Sequence, residues 1–171
     1  MVNESDFQYC PSCARHFNPL KGNLLVCPNC DLHYYINPKS TNAIMLFNEQ
    51  DELLMVRRAH DPKKGKLDLP GGFIDINETL EESLTREIRE ELGIDVHEFE
   101  YVSSFHDEYE HGGISSRCLC MMFVGKLPEN AILTPADDVA SYEFYSLKNI
   151  PYEEMAFDEM KTAVKKYLLS L

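Results

Sequence analysis

The chain has 171 residues, 44% of them hydrophobic and 26% charged, with a formal net charge of −13. This length suits one medium domain with a small appendage, and the composition is that of an ordinary soluble globular protein. The acidic balance argues against binding to duplex nucleic acid or to an anionic membrane, both of which need Lys/Arg patches, and no segment approaches the ~20 apolar residues of a membrane helix.

The first residues, MVNESDFQYCPSC, lack the basic start and apolar run of a secretory signal, so the expected compartment is the reducing cytoplasm. In that compartment, paired cysteines more often hold metal than form disulfides. Cys10 and Cys13, then Cys27 and Cys30, form two Cys-x-x-Cys knuckles thirteen residues apart. Four thiolates at this spacing suit tetrahedral Zn²⁺ and fill its shell, which leaves His16 and His33 as bystanders. Between the knuckles, Gly22 and the alternating Leu24 and Val26 read as a short hairpin. A ribbon of roughly 25 residues buries too little to fold alone, so metal would supply most of its folding energy.

Residues 37–40, Asn-Pro-Lys-Ser, read as a linker. Ala43–Phe47 and Leu53–Arg57 read as strands around a turn, and Leu67–Leu69 as a short strand after a polar loop. Next comes the stretch GFIDINETLEESLTREIREELGI, Gly72 to Ile94. Thr79 and Glu82 have capping-box spacing, Leu80, Leu84, Ile88 and Leu92 make an apolar stripe, and Gly93 sits where a helix would end. On this helix Glu87, Glu90 and Glu91 fall within an arc of roughly 100°. Carboxylates so placed repel each other unless a cation sits among them, and hard oxygen ligands suit Mg²⁺ or Mn²⁺. The same three residues also suit a solvated acidic helix face, and spacing alone leaves both readings open.

Beyond the box, Phe99–Phe105 and Arg117–Val124 read as strands joined through Gly112-Gly113, and Tyr142–Leu147 as a last strand. Cys118 and Cys120 fall in an apolar run as strand residues, and Glu153–Leu169 reads as a closing helix. Strands alternating with two helices predict an α/β fold with a mixed sheet between helical layers.

The run Gly72, Glu78, Arg86-Glu87-Ile88, Glu90-Glu91, Gly93-Ile94 resembles the signature box of the Nudix hydrolases at every fixed position, and Leu69-Pro70-Gly71-Gly72 is similar to the family's lead-in. The resemblance implies an α/β/α sandwich with a mixed sheet, Mg²⁺ or Mn²⁺ at the box, and cleavage of a nucleoside diphosphate linked to another moiety. It implies that Glu87 and Glu91 are metal ligands, that Glu90 ligates directly or through water, and that the Gly72 carbonyl adds an oxygen. It makes Arg86 and Glu78 an orienting ion pair. Glu87 is its first choice of general base, with His106, Asp107 or Glu108 as alternatives, because Ser141 and Phe144 depart from a later family segment.

The zinc ribbon ahead of such a box is similar to the layout of NADH pyrophosphatases, with the ribbon over residues 1–36 and the hydrolase domain over 37–171. The chain has no Trp, and SSFHDEYEHGGISS stands where those proteins carry a tryptophan-containing motif, so a preference for NADH is not implied. The expected substrate is of the ADP-ribose or dinucleotide type. Arg57 and Arg58, or Lys64 and Lys66, are candidate phosphate contacts on the strand and loop leading into the box. Phe7, Phe17, Tyr35 and Phe105 are candidates for base stacking. The competing readings are a non-catalytic nucleotide sensor and an isomerase of isoprenoid diphosphates, and the resemblance admits a homodimer.

Overall fold

The computed structural model describes residues 7–171. The chain divides into two compact units: residues up to Lys39 with Glu108–Arg117, and Ser40–Asp107 with Cys118–Leu171. Among the described residues, no helix is long and apolar enough to cross a membrane.

In the first unit, β1 (Leu24–Val26) and β2 (His33–Tyr35) pair antiparallel, with Leu25 opposite Tyr34. Leu25 is buried, and Tyr34 lies between Phe7 and Phe17, with ring centroids 6.5 and 6.1 Å away. So small an apolar cluster cannot by itself offset the entropy of ordering the segment.

The second unit is built on a six-stranded sheet. Its strands are β3 (Lys39–Phe47), β4 (Leu53–Arg58), β5 (Leu67–Asp68), β6 (Phe99–His111), β7 (Ile114–Lys126) and β8 (Val139–Tyr145). The order is β5-β4-β3-β7-β6, with β8 along the other edge of β4. β3 and β4 are antiparallel. Leu127 N–H, just past the end of β7, donates to the carbonyl of Phe47 at the end of β3, so these neighbours run parallel and the sheet is mixed.

β3 and β4 read as near-continuous apolar runs because they are covered on both faces. Ala43, Met45, Phe47, Leu53 and Met55 face one side, where they meet Met160 and Val164 of α2 (Asp158–Leu168). Ile44, Leu46, Leu54 and Val56 face the other, where they meet Leu84, Ile88 and Leu92 of α1 (Leu80–Leu92). The period of two along the strands and the four-residue stripe on α1 together produce the predicted α/β/α sandwich.

One irregularity in the sheet builds the site. β3 and β4 pair only at their turn end, Phe47 opposite Leu53, and then separate. The chain from Leu67 to Phe73 fills the gap: Leu67 and Asp68 pair with β4, while Asn42 and Ile44 donate to the carbonyls of Gly72 and Pro70, both at 2.9 Å. The loop before α1 is thereby fastened to the middle of the sheet.

Several sequence expectations are corrected. β6 and β7 extend to the Gly112-Gly113 turn as one long hairpin, beyond the predicted Phe99–Phe105 and Arg117–Val124. β3 begins at Lys39, inside the predicted linker, and β8 starts three residues earlier than expected. The closing helix is not continuous from Glu153. A 3₁₀ turn at Tyr152–Glu154 ends at an extended Met155, Leu67 bridges Met155, and Ala156 N–H donates to the Leu67 carbonyl at 2.8 Å. Pairing with β5 thus outweighs helix propensity for two residues, and α2 starts only after Phe157.

Ile88 is fully buried where α1 meets the sheet. Ile88→Ala is expected to lower unfolding stability by about 2–5 kcal/mol. Urea titration checks this, and a loss below ~1 kcal/mol would contradict the packing described.

Candidate active site and cysteine cluster

α1 carries the box because both its ends are fixed locally. Thr79 Oγ1 accepts from Glu82 N–H at 3.2 Å, and the Glu82 carboxylate accepts from Thr79 N–H at 2.9 Å, which closes the predicted capping box. Gly93, at φ 72°, donates its N–H to Arg89 and ends the helix in the left-handed conformation that glycine tolerates.

The face of α1 toward the Gly71-Gly72 turn holds Glu87 and Glu91. Glu91 is 5% exposed and accepts from Gly71 N–H at 3.0 Å through Oε2. Gly72 approaches Glu87 so closely that a Cβ there would lie 2.5 Å from Glu87 Oε1. Gly71 adopts φ 136° with its backbone against Asn42, where a Cβ would fall 2.4 Å from the Asn42 carbonyl oxygen. Gly71 is therefore required by its positive φ and by backbone contact, whereas a side chain at Gly72 would displace the Glu87 carboxylate.

Burial pushes the Glu91 carboxyl well above its ordinary value; the Gly71 N–H opposes this, and the charges of Glu87, Asp68 and Asp138 reinforce it. Burial likewise raises Glu87, against Arg86, with Glu90 and Asp137 adding repulsion. Asp68, on β5, is also raised by burial even though Arg58 pairs with it at 2.8 Å. Glu87, Glu91 and Asp68 thus share a poorly solvated place in which their charges oppose one another, and a divalent cation there would relieve both the desolvation and the repulsion.

Arg86 is the cation the chain itself supplies. Its Nε and Nη2 grip Glu78 at 2.7 and 2.8 Å, Nη1 donates to Glu87 Oε1 at 2.9 Å and Glu90 Oε2 at 3.0 Å, and Nη2 reaches the Phe73 carbonyl at 3.1 Å. The fork holds Glu78 down at about 2, and the three carboxylates raise Arg86 further above its already high value. Glu78 and Arg86 thus form the expected ion pair. Arg86 also engages one oxygen of each of two candidate ligands, Glu87 and Glu90.

The donor set of Glu87, Glu90 and Glu91 is hard oxygen, as Mg²⁺ and Mn²⁺ prefer. Its carboxylates are not drawn together. Among the described residues, only the four cysteines form a group of three or more whose ligand atoms all lie within 4.8 Å of one another. Glu90 is the most open of the three glutamates, with 46% of its side chain exposed. The Gly72 carbonyl already accepts from Asn42 N–H, which leaves one lone pair for a cation.

The candidate phosphate contacts have internal partners. Arg57 bonds Glu143 at 2.7 Å, Glu154 at 3.0 Å and the Gly65 carbonyl at 3.2 Å. Arg58 bonds the Pro62 carbonyl and Asp68 and lies over the Phe157 ring. Lys64 and Lys66 are exposed. Phe105 packs into the core, while Tyr35 is exposed on β2. Asn42, buried on β3, carries chemistry that sequence reasoning passed over. Its side chain donates to buried Ser83 Oγ at 2.9 Å and accepts from Gly72 N–H at 3.4 Å. A polar residue heading the apolar run Ala43–Phe47 was the available signal. Asp68 likewise follows an apolar residue in a short strand.

In the first unit the two knuckles are the same turn used twice. Ala14 N–H donates to the Cys10 carbonyl and Asp31 N–H to the Cys27 carbonyl, and both Ala14 and Asp31 have φ 56°. The turns converge Cys10 on Cys30, with sulfurs 3.7 Å apart, and Cys13 on Cys27, at 3.5 Å. A tetrahedron of Zn–S bonds at about 2.3 Å has edges of about 3.8 Å; these two contacts are close to that, and all four sulfurs lie within 4.8 Å of one another. The cluster favours one thiolate, at Cys27, and disfavours another beside it, at Cys30. Desolvation raises Cys27, but backbone N–H groups of Cys30 and Asn29 and the neighbouring thiols outweigh it and leave Cys27 at about 6. The Leu32 N–H lowers Cys30, but Cys27 and the other thiols push it up to about 12. His16 packs at a tilt against Tyr9, and His33 lies beside Asp31; neither belongs to the sulfur cluster.

An open cleft of about 1090 Å³, lined among others by Phe47, Asp95, Phe99, Lys126, Leu147 and Tyr167, contains none of the box carboxylates.

The chain is similar to known proteins. The family model described as NUDIX domain matches residues 37–167. An ADP-ribose pyrophosphatase of Methanocaldococcus jannaschii is 33% identical over 125 residues, 72% of this chain and 69% of that one. The NAD(P)H pyrophosphatase NUDT13, mitochondrial, of Homo sapiens is 28% identical over 158 residues, 90% of this chain and 41% of that one. The NAD-capped RNA hydrolase NudC of Pseudomonas aeruginosa is 27% identical over 148 residues, 84% of this chain and 49% of that one. The chain therefore spans about half or less of the length of the last two. Among solved structures, a NUDIX hydrolase from Nitrosomonas europaea superposes with a TM-score of 0.71 and 26% identity, covering 95% of this chain and 91% of that one. With its signature helix, the loop set against it and this family match, the chain belongs to the Nudix hydrolases.

Proposed function

We propose that the chain hydrolyses the pyrophosphate bond of a nucleoside diphosphate linked to another moiety, of the ADP-ribose or dinucleotide type. The observation that carries this reading is the burial of Glu87 and Glu91 against the Gly71-Gly72 turn, with several carboxylates pushed above their ordinary values. The names of the related pyrophosphatases support the substrate class.

In this reading Glu87, Glu90, Glu91 and the Gly72 carbonyl would hold Mg²⁺ or Mn²⁺, which when bound would supply charge withdrawal from the phosphoryl oxygens and a lowered pKa for a bound water. The chain's own residues do the rest. The Gly71 N–H orients Glu91 and, with burial, keeps its carboxylate away from bulk water. Glu87 accepts the proton of the attacking water. Arg86, braced on Glu78, fixes the rotamers of Glu87 and Glu90 and would give up one or both of those bonds to a cation on the carboxylates. Arg57 and Arg58 enter as residues that hold β4, β5 and β8 rather than as phosphate contacts. The proposed division is a zinc ribbon over 1–36, with Zn²⁺ on Cys10, Cys13, Cys27 and Cys30, and a hydrolase domain over 37–171. A cluster of reduced thiols fits the cytoplasm.

A panel of nucleoside diphosphate derivatives with Mg²⁺ or Mn²⁺ is expected to yield a nucleoside monophosphate. Glu87→Gln and Glu91→Gln are each expected to lower kcat/KM by about 10²–10⁴-fold with the fold retained by circular dichroism. Wild-type rates in both variants, or ligand binding without turnover across the panel, would overturn the reading.

The brace is expected to show a pH dependence of its own. Glu78 is lowered in the folded state to about 2 by Arg86, so its contribution to stability is full above the unfolded carboxyl value of about 4.3 and fades as pH falls toward 2. The stability difference between wild type and Glu78→Gln should therefore be constant from about pH 6 to 8 and shrink below about pH 4. A difference that grows on acidification would contradict the ion-pair assignment.

A further inference from the structure

Ser83, Glu87 and Glu91 lie at i, i+4 and i+8 and share one stripe of α1. All three meet the same short turn. Glu91 accepts from Gly71 N–H, and Glu87 lies against Gly72, where a Cβ would be 2.5 Å away. Ser83 accepts at 2.9 Å from the side-chain amide of Asn42, whose backbone N–H donates to the Gly72 carbonyl at 2.9 Å and whose Oδ1 accepts from Gly72 N–H at 3.4 Å. Asn42 thus holds Gly72 from both sides and ties it to the first turns of the helix. Ser83 Oγ also donates to the Phe73 carbonyl and accepts from Arg86 Nη2, each at 3.4 Å.

Of these three rungs, only Asn42–Ser83 is uncharged. Ser83 is 0% exposed and Asn42 3%, so neither salt nor solvent competes for the bond. The Glu87 and Glu91 rungs change when their carboxylates take a cation, whereas an amide-to-hydroxyl bond does not.

We propose that Asn42 and Ser83 are positioning residues for the divalent-metal site, a neutral buried strut that sets the gap between the Gly72 carbonyl and the glutamate stripe of α1. The inference rests on the reading of that site given above. The strut touches neither metal nor substrate. It acts by keeping Gly72 and α1 in register while the carboxylates change partners, and outer-sphere contacts of this kind are worth about 10–100-fold in metal affinity.

The test replaces both partners by apolar groups, Asn42→Val with Ser83→Ala, because removing both takes away the strut without stranding its own donor or acceptor; Gly72 N–H also loses its acceptor, which is part of the loss the test reads. Zinc-loaded protein without substrate is titrated with Mn²⁺ and followed by electron paramagnetic resonance, alongside urea denaturation. The expected result is a single cooperative unfolding transition, as in the wild type, with a Kd for Mn²⁺ raised about 10-fold. Ser83→Ala alone, which keeps a good helix former, is expected to weaken Mn²⁺ by a similar factor and supplies the answer if the double variant does not fold. Wild-type Mn²⁺ affinity in the variants that fold would overturn the strut and leave the site reading intact. A wild-type chain that binds no Mn²⁺ in this titration would overturn both.

Discussion

The structure depends on how it tolerates like charges on one helix face. Two carboxylates about 5 Å apart repel by about 3 kcal/mol at the effective dielectric of a protein surface, and burial adds to the cost of keeping them ionised. Glu87, Glu90 and Glu91 sit on one face of a single helix, with Asp68, Asp137 and Asp138 contributing further repulsion. Arg86 offsets part of it, bonded to three carboxylates at once, and Glu78 holds its guanidinium in place. This arrangement is poised rather than relaxed. One arginine cannot neutralise the whole set, and a divalent cation placed among the oxygens would do so more fully.

The fold supplies the rigid backing this requires. The gap where β3 and β4 part lets Gly71-Gly72 run beside β3 instead of projecting as a free loop. Apolar side chains on both faces of β3 and β4 lock the sheet between α1 and α2. The loop and the helix that share the site are therefore anchored to the same two central strands, one by backbone hydrogen bonds and the other by buried Leu84, Ile88 and Leu92. The cysteine cluster solves a different problem in the first unit. Its apolar contacts are few, and two identical turns gather four sulfurs at metal-binding spacing.

Features set by local chemistry were legible in the sequence. The ends of α1 follow from Thr79, Glu82 and Gly93, and the cysteine knuckles follow from spacing alone. The stripe of Leu84, Ile88 and Leu92 places the helix on the sheet, and the Glu78–Arg86 pair follows from the box. Features set by long-range pairing were not legible. The break before α2 depends on β5 capturing Met155 and Ala156, some ninety residues away in the chain. Arg57 and Arg58 read as free phosphate contacts because their partners Glu143, Glu154 and Asp68 are brought to them by the sheet. Asn42 and Ser83 are forty-one residues apart, and nothing in either local segment signals that they meet.

The central claim is that the glutamates of α1 exist to hold a divalent cation beneath a diphosphate. A crystal structure grown with Mn²⁺, with the ion located by its anomalous scattering, tests this most directly. The account predicts Mn²⁺ within about 2.0–2.3 Å of oxygens from Glu87 and Glu91, with Arg86 released from at least one of Glu87 and Glu90. Mn²⁺ absent from that place, with Arg86 still bonded to both glutamates, would contradict it.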